Sequence, residues 1–387
     1  MRTVSGNSRV VVVGGGVVGL SVAWRLSGAG YDVVVVDQAA DTGGSRVAGG
    51  MLAPIAEAWP GEEELLELGS VSLAAWPEFA EELTEASGTD PGLRPDGTLV
   101  VGTNRADVEQ LDALAAYLAE RGRQVERLTG RRLRRIEPGL GPEVLGGLSV
   151  PGDLAVDNRR LLAALRRAGA HARVRFVTDR VTRLAPGTVH LSDGRTVPCD
   201  VVVIAAGAWS GELHPALRGA VRPVKGEILR LRARRTTLPP PLRTVRALVE
   251  GRPVYLVPRD AGGLVVGATQ YEAGFDADVT VGGVRDLLRD AERVLPGIAE
   301  YALVECGVGF RAGSPDNLPL LGWLEPGVLV ATGHHRNGLL LAPVTADTVL
   351  ALVRGTEPPA PARAADPARL RAGGVAASTG VAGEENG

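Results

Sequence analysis

Four valines run directly into three glycines near the start of the chain, Val10-Val11-Val12-Val13-Gly14-Gly15-Gly16-Val17-Val18-Gly19-Leu20, and a second apolar run, Val33 to Val36, ends on Asp37. Unbroken β-branched residues predict strands buried on both faces, the condition of a central parallel strand. A glycine turn between such a strand and a helix lets backbone N–H groups reach a pyrophosphate that a Cβ at Gly14 or Gly16 would hold off. The helix beginning at Val17 and Val18 then offers the phosphate the positive end of its dipole. Asp37, at the tip of the second strand, is placed to accept the hydroxyls of an adenosine ribose, with Gln38 beside it. Strand, turn, helix, strand and acid in register predict a Rossmann-like dinucleotide-binding unit. A glycine-rich surface loop would not follow a run of four valines.

The remaining composition mostly excludes. With 387 residues there is room for two domains with cores. A net charge of −3 gives no field toward nucleic acid or an anionic membrane. The Arg131-Arg132-Leu133-Arg134-Arg135 cluster reads as the solvated face of a helix. Cys199 and Cys306 are far apart and lack metal or disulfide spacing, which fits a reducing cytoplasm. The N-terminal apolar stretch is broken by glycines and reads as neither a signal peptide nor a membrane span.

Past Asp37 a small-residue passage, Thr42 to Pro54, predicts backbone lying close to a ligand. Helical periodicity follows over about 62–86 and 105–121, with a strand at Gly97 to Gly102 between them. A helix near Arg160 leads to a strand at Arg173 to Val177, a small meander from Val181 to Val197, and a buried strand, Val201 to Ala205, ending in Ala206-Gly207. From Arg222 to Thr269 longer alternating strands predict a separate, mainly antiparallel sheet. The chain thus reads as α/β, a Rossmann-like dinucleotide-binding domain formed by 1–84, 148–215 and 306–357 together with a second, mainly antiparallel substrate domain of 85–147 and 216–305. The Pro- and Ala-rich residues 358–387 read as a disordered tail.

These segments resemble the flavin amine oxidases that include D-amino-acid oxidase and monomeric sarcosine oxidase, and among them the glycine oxidases of thiamine biosynthesis. The resemblance rests on Gly14 to Asp37, Gly50-Met51-Leu52-Ala53-Pro54, Val224-Lys225-Gly226-Glu227, Tyr255-Leu256-Val257-Pro258-Arg259 with Gly267-Ala268-Thr269, Gly309-Phe310-Arg311, and Gly333-His334-His335-Arg336-Asn337-Gly338-Leu339. It implies dissociable FAD, because the position at which sarcosine oxidases tether flavin by a cysteine matches Gly309. It implies that Gly14, Gly16, Val17, Val18, Gly19, Asp37, Gln38, Ser45, Arg46, Gly50, Met51, Val181, Ala206, Gly207, Arg336, Asn337, Gly338 and Leu339 hold the cofactor, and that the final helix aims its N-terminus at the flavin. The implied substrate residues are Arg311, which grips a carboxylate, Tyr255, Arg336 and Gln270.

The implied reaction is hydride transfer from the α-carbon of a deprotonated amine to flavin, giving an imine that hydrolyses to a 2-oxo acid and ammonia, with O2 reduced to hydrogen peroxide. No side-chain base is required, since alignment of the C–H bond dominates. His334 and His335 lack a carboxylate or thiol at ligand spacing, so no metal site is expected. A dehydrogenase with another electron acceptor, a protein using FAD structurally, and the oxidase module of an RNA-modifying enzyme remain open, the last disfavoured by charge. The glycine imine would supply thiazole synthesis, so thiazole-synthesis proteins are candidate partners, and a homo-oligomer is expected.

Overall fold

The computed structural model describes residues 8–38 and 43–372. Thr42 and residues 373–387 of the expected tail lie outside these.

Two sheets organise the molecule. The first has six strands in the order Leu320–Glu325, Val328–Thr332, Val201–Ile204, Arg9–Val13, Asp32–Asp37, Arg175–Thr178. All neighbours are parallel except the Leu320–Glu325 edge. Its valine runs are buried on both sides because the pleat sends alternate residues to opposite faces. Val10 and Val12 pack with Val22, Leu26, Val349 and Val353 of the helices Val17–Gly28 and Ala342–Arg354. Val11 and Val13 pack with Val181, Val189 and Leu191 of a three-stranded antiparallel sheet on the other face.

The second sheet has eight strands in the order Ala302–Gly313, Arg222–Arg232, Gly263–Gly267, Arg252–Pro258, Thr244–Val249, Thr98–Gly102, Gly146–Val150, Glu126–Thr129. One of its pairs, Thr244–Val249 with Thr98–Gly102, is parallel. Parity again divides the faces. Val254 and Leu256 join Leu287, Ala291 and Val294 of the helix Val281–Val294 in one core. Tyr255 and Val257 face the other way, toward Met51 and Ala155.

Strands Gly146–Val150 and Ala302–Gly313 belong whole to this second sheet, so domain limits at 147/148 and 305/306 cut through strands and are corrected here. Hydrogen-bonded ladders place a boundary at strand ends, which composition does not mark.

The expectation of a disordered tail is also corrected for its first part. Residues Ala360–Ala365 form a 3₁₀ turn whose Ala362 and Ala365 are 2% and 0% exposed. Gly322 receives Pro367, since a Cβ there would lie 2.6 Å from the proline ring. Arg369 makes a bidentate pair with Asp316 at 2.7 and 2.9 Å and donates to Leu318 O. Small residues here fill a shallow groove, a use that low hydrophobicity conceals. Truncation after Glu357 is therefore expected to destabilise the fold by about 2–4 kcal/mol, from lost apolar burial and hydrogen bonds. Thermal denaturation checks this, and an unchanged midpoint would show the segment to be dispensable.

Candidate active site

One cavity of about 700 Å³ is lined by residues from both sheets and from the segment 43–51. At its nucleotide side, Gly14 lies in the positive-φ region at 112°. On sequence this glycine serves the approach of a pyrophosphate; the structure adds a second constraint, since a Cβ there would fall 2.3 Å from Ala205 O at the neighbouring strand end. Gly19 similarly lets the helix sit on the turn, its virtual Cβ lying 1.9 Å from Gly14 O. No side chain at Gly16 caps the helix Val17–Gly28 and no acid stands in its first turn; Val17 N donates to Ser45 Oγ at 3.1 Å. The helix thus presents an N-terminus without an acidic residue to the cavity, with Asp37 beside Gly15. This cradle suits a dinucleotide pyrophosphate and ribose.

The substrate side is built on missing side chains. Arg246, Tyr255 and Gly267 lie in one cross-strand row. The Tyr255 ring is wedged between two glycines, since a Cβ on Gly267 would lie 2.3 Å from the phenol and one on Gly49 2.6 Å from the ring. Burial pushes the Tyr255 pKa up, so the phenol stays protonated. The Arg311 guanidinium lies over Gly226, whose Cβ would come within 2.5 Å of Nη1. It donates to Lys225 O at 3.3 Å and Thr269 O at 3.2 Å. Burial lowers its pKa, but arginine remains charged in proteins. Arg336 donates to Glu57 O at 3.3 Å and Glu62 Oε2 at 3.4 Å.

The Val224-Lys225-Gly226-Glu227 motif holds the adjoining loop. Buried Lys225 donates to Asp276 Oδ2 and Asp278 O, both at 2.6 Å, and buried Glu227 accepts from Thr280 N at 2.7 Å. That loop brings Phe275 onto Trp209, which lines the cavity with Phe310. Arg259 fixes the opposite wall by donating to Gly49 O at 2.6 Å.

Of the residues expected from sequence, Gly14, Gly16, Val17, Val18, Asp37, Gln38, Ser45, Gly50, Met51, Val181, Ala206, Gly207, Tyr255, Gln270, Arg311, Arg336, Gly338 and Leu339 line this cavity. Three do not. Gly19 packs against the turn behind it, Asn337 is buried with its amide donating to His334 O, and Arg46 offers its carbonyl to Asn158 and Arg230. The final helix, Ala342–Arg354, opens at the expected Ala342-Pro343. The turn His335–Asn337 and Gly338-Leu339 reach the cavity, while Val344 N, in the first helical turn, is met by Ser72 Oγ at 3.4 Å.

His334 is buried and hydrogen-bonded. Its Nε2 pairs with Thr345 Oγ1 at 2.9 Å, burial takes its pKa down to about 3, and no metal-holding cluster occurs among the described residues. Cys306 packs into the core under the helix Val281–Val294 and does not line the cavity. No described helix is long and apolar enough to cross a membrane.

Sequence reasoning missed Glu57 and Arg246. Glu57 Oε1 lies 3.7 Å from Arg246 and 3.8 Å from Arg336, so one carboxylate serves two guanidinium groups in the wall. The alternation Val245-Arg246-Ala247 was the available signal, but a charge at that parity reads as a solvent face unless the covering layer is known.

A family model described as FAD dependent oxidoreductase matches residues 9–352. The bifunctional protein ThiO/ThiG of Synechocystis sp. is 35% identical over 357 residues, covering 89% of this chain and 51% of that protein. This chain therefore spans about half the length of the bifunctional relatives. A Rhizobium etli protein provisionally named a thiamine biosynthesis oxidoreductase, ThiO, is 35% identical over 344 residues, 88% of this chain and 95% of that one. Among solved structures, glycine oxidase from Geobacillus kaustophilus superposes with a TM-score of 0.83 at 33% identity, covering 91% of this chain and 96% of that chain.

Proposed function

The chain belongs to the FAD-dependent oxidoreductase family, and from that premise we propose that it oxidises glycine, with sarcosine and small D-amino acids as further substrates, using O2 as acceptor. The observation that carries this reading is the buried Arg311 fork seated on Gly226 beside the wedged Tyr255, in the same cavity as the nucleotide cradle. FAD bound without a covalent link would rest on Gly14 to Val18, Asp37, Ser45, Gly50, Met51, Val181, Ala206, Gly207, Gly338 and Leu339. When bound, it supplies a two-electron acceptor for the hydride leaving the substrate α-carbon.

Everything else in the scheme falls to the protein. Arg311 pairs both carboxylate oxygens of the substrate, and the protonated Tyr255 hydroxyl adds a third hydrogen bond. Arg246, Arg311 and Arg336 together disfavour a further cation in the cavity, which stabilises the uncharged amine that can release hydride. The pocket aligns the C–H bond and excludes water, and no general base is assigned.

The relatives named ThiO support a place for the product imine in thiazole assembly, with thiazole-synthesis proteins as partners. A cytoplasmic homo-oligomer is part of the same reading, as is the division into a cofactor domain and a substrate domain.

Purified protein in air should form hydrogen peroxide and ammonia in equal amounts from glycine or D-alanine, and hydrogen peroxide and methylamine in equal amounts from sarcosine. Dye reduction without peroxide would instead indicate a dehydrogenase, and no turnover of any amine would remove the proposal. Asp37→Ala should weaken FAD binding by about 1–3 kcal/mol, the worth of charge-assisted hydrogen bonds to the ribose, read by flavin fluorescence titration. Unaltered affinity would place the ribose elsewhere.

A further inference from the structure

His335 begins the turn that enters the cavity and holds a left-handed backbone conformation, φ 47°, which non-glycine residues seldom adopt without surroundings that impose it. The residue lines the cavity. Nδ1 is sealed from solvent and has no hydrogen-bond partner. Burial and the positive charges of Arg336, Arg311 and Arg222 hold its pKa down to about 3, so the imidazole is neutral and has one N–H. A buried N–H without an acceptor is rarer than a buried bare lone pair, which puts the proton on Nε2. Nε2 is thus the ring's one donor.

A carboxylate has about four lone-pair positions. The bidentate Arg311 fork would fill two and the Tyr255 hydroxyl a third. Arg336 is engaged with Glu57 and Glu62, and Gln270, which also lines the cavity, is exposed, whereas His335 is a half-buried neutral donor that feels the Arg311 charge. We propose that His335 is a substrate-binding residue whose Nε2–H donates the remaining hydrogen bond to the substrate carboxylate. This rests on the amino-acid reading above.

The test uses the FAD holoenzyme with acetate, which has the carboxylate but no amine, followed by the flavin absorbance change. His335→Phe keeps the ring and loses the N–H. It should bind acetate about tenfold more weakly and raise KM for glycine to the same extent, with kcat and FAD affinity nearly unchanged, as expected for loss of uniform binding. His335→Asn, which restores an N–H and tolerates the left-handed backbone, should come within about threefold of wild type. Should His335→Phe not fold, histidine ¹⁵N NMR of the wild type decides: an Nε2–H tautomer whose proton moves downfield with acetate supports the role, and an Nδ1–H tautomer or no response overturns it. Weakened FAD binding in His335→Phe would assign the donor to the cofactor and overturn it too. Wild-type protein that neither binds acetate nor oxidises glycine overturns the amino-acid reading and this inference together. Full acetate affinity in His335→Phe overturns this inference alone.

Discussion

Arg311→Ala should raise KM for glycine by about two to three orders of magnitude while the protein stays folded and yellow, because a buried carboxylate deprived of its bidentate partner costs roughly 3–5 kcal/mol. Lysine at the same position should recover only part of this, since a point charge cannot reproduce the planar fork. The loss should be larger for glycine than for bulkier amino acids, which have a side chain through which to regain orientation. Gly226→Ala gives an independent route to the same defect: its Cβ would intrude within 2.5 Å of the guanidinium and displace it without altering its chemistry. Steady-state kinetics on both variants check this, and an Arg311→Ala enzyme with unchanged KM for glycine would place the substrate elsewhere.

Gly14→Ala should abolish the yellow colour and lower the thermal midpoint sharply. The new methyl would lie 2.3 Å from Ala205 O and 2.9 Å from Ala206 Cα, both backbone atoms at a buried strand end, and at φ 112° it also strains its own residue. Overpacking and backbone strain together amount to roughly 3–6 kcal/mol. Gly30→Ala is the control for strain alone, with φ 94° and open space around its Cβ; it should cost about 1–2 kcal/mol and leave flavin content intact. Flavin-to-protein ratios and melting curves of the two variants separate these effects, and equal losses would show that conformation, not the strand contact, governs Gly14.

The parts of the fold visible in the sequence were those with a simple period. Val10 to Val13 and Val33 to Val36 announce strands covered on both faces, and both lie in the interior of the six-stranded sheet. Tyr255 and Arg311 were found through glycine-bearing motifs, and the structure gives those glycines a reason: Gly267, Gly49 and Gly226 are the spaces the two side chains occupy. Arg246 was not found, because strand parity distinguishes two faces but cannot say which of them is wet, and Glu57 lies in a turn after the strand Met51–Leu52, where no periodicity marks a side chain as facing a cavity. The segment 358–372 was misread because alanine and proline filling a groove beside Gly322 look, in composition, like a chain with nothing to bury. Arg46 and Asn337 lie next to lining residues without being among them, a difference of one position that sequence spacing does not resolve.

The central claim is that the nucleotide cradle and the Arg311 site form one oxidase, and anaerobic mixing of the purified yellow protein with glycine tests it most directly. The flavin absorbance should bleach on mixing and return when air is admitted, with one hydrogen peroxide formed per flavin. Colour that persists under excess glycine would contradict it.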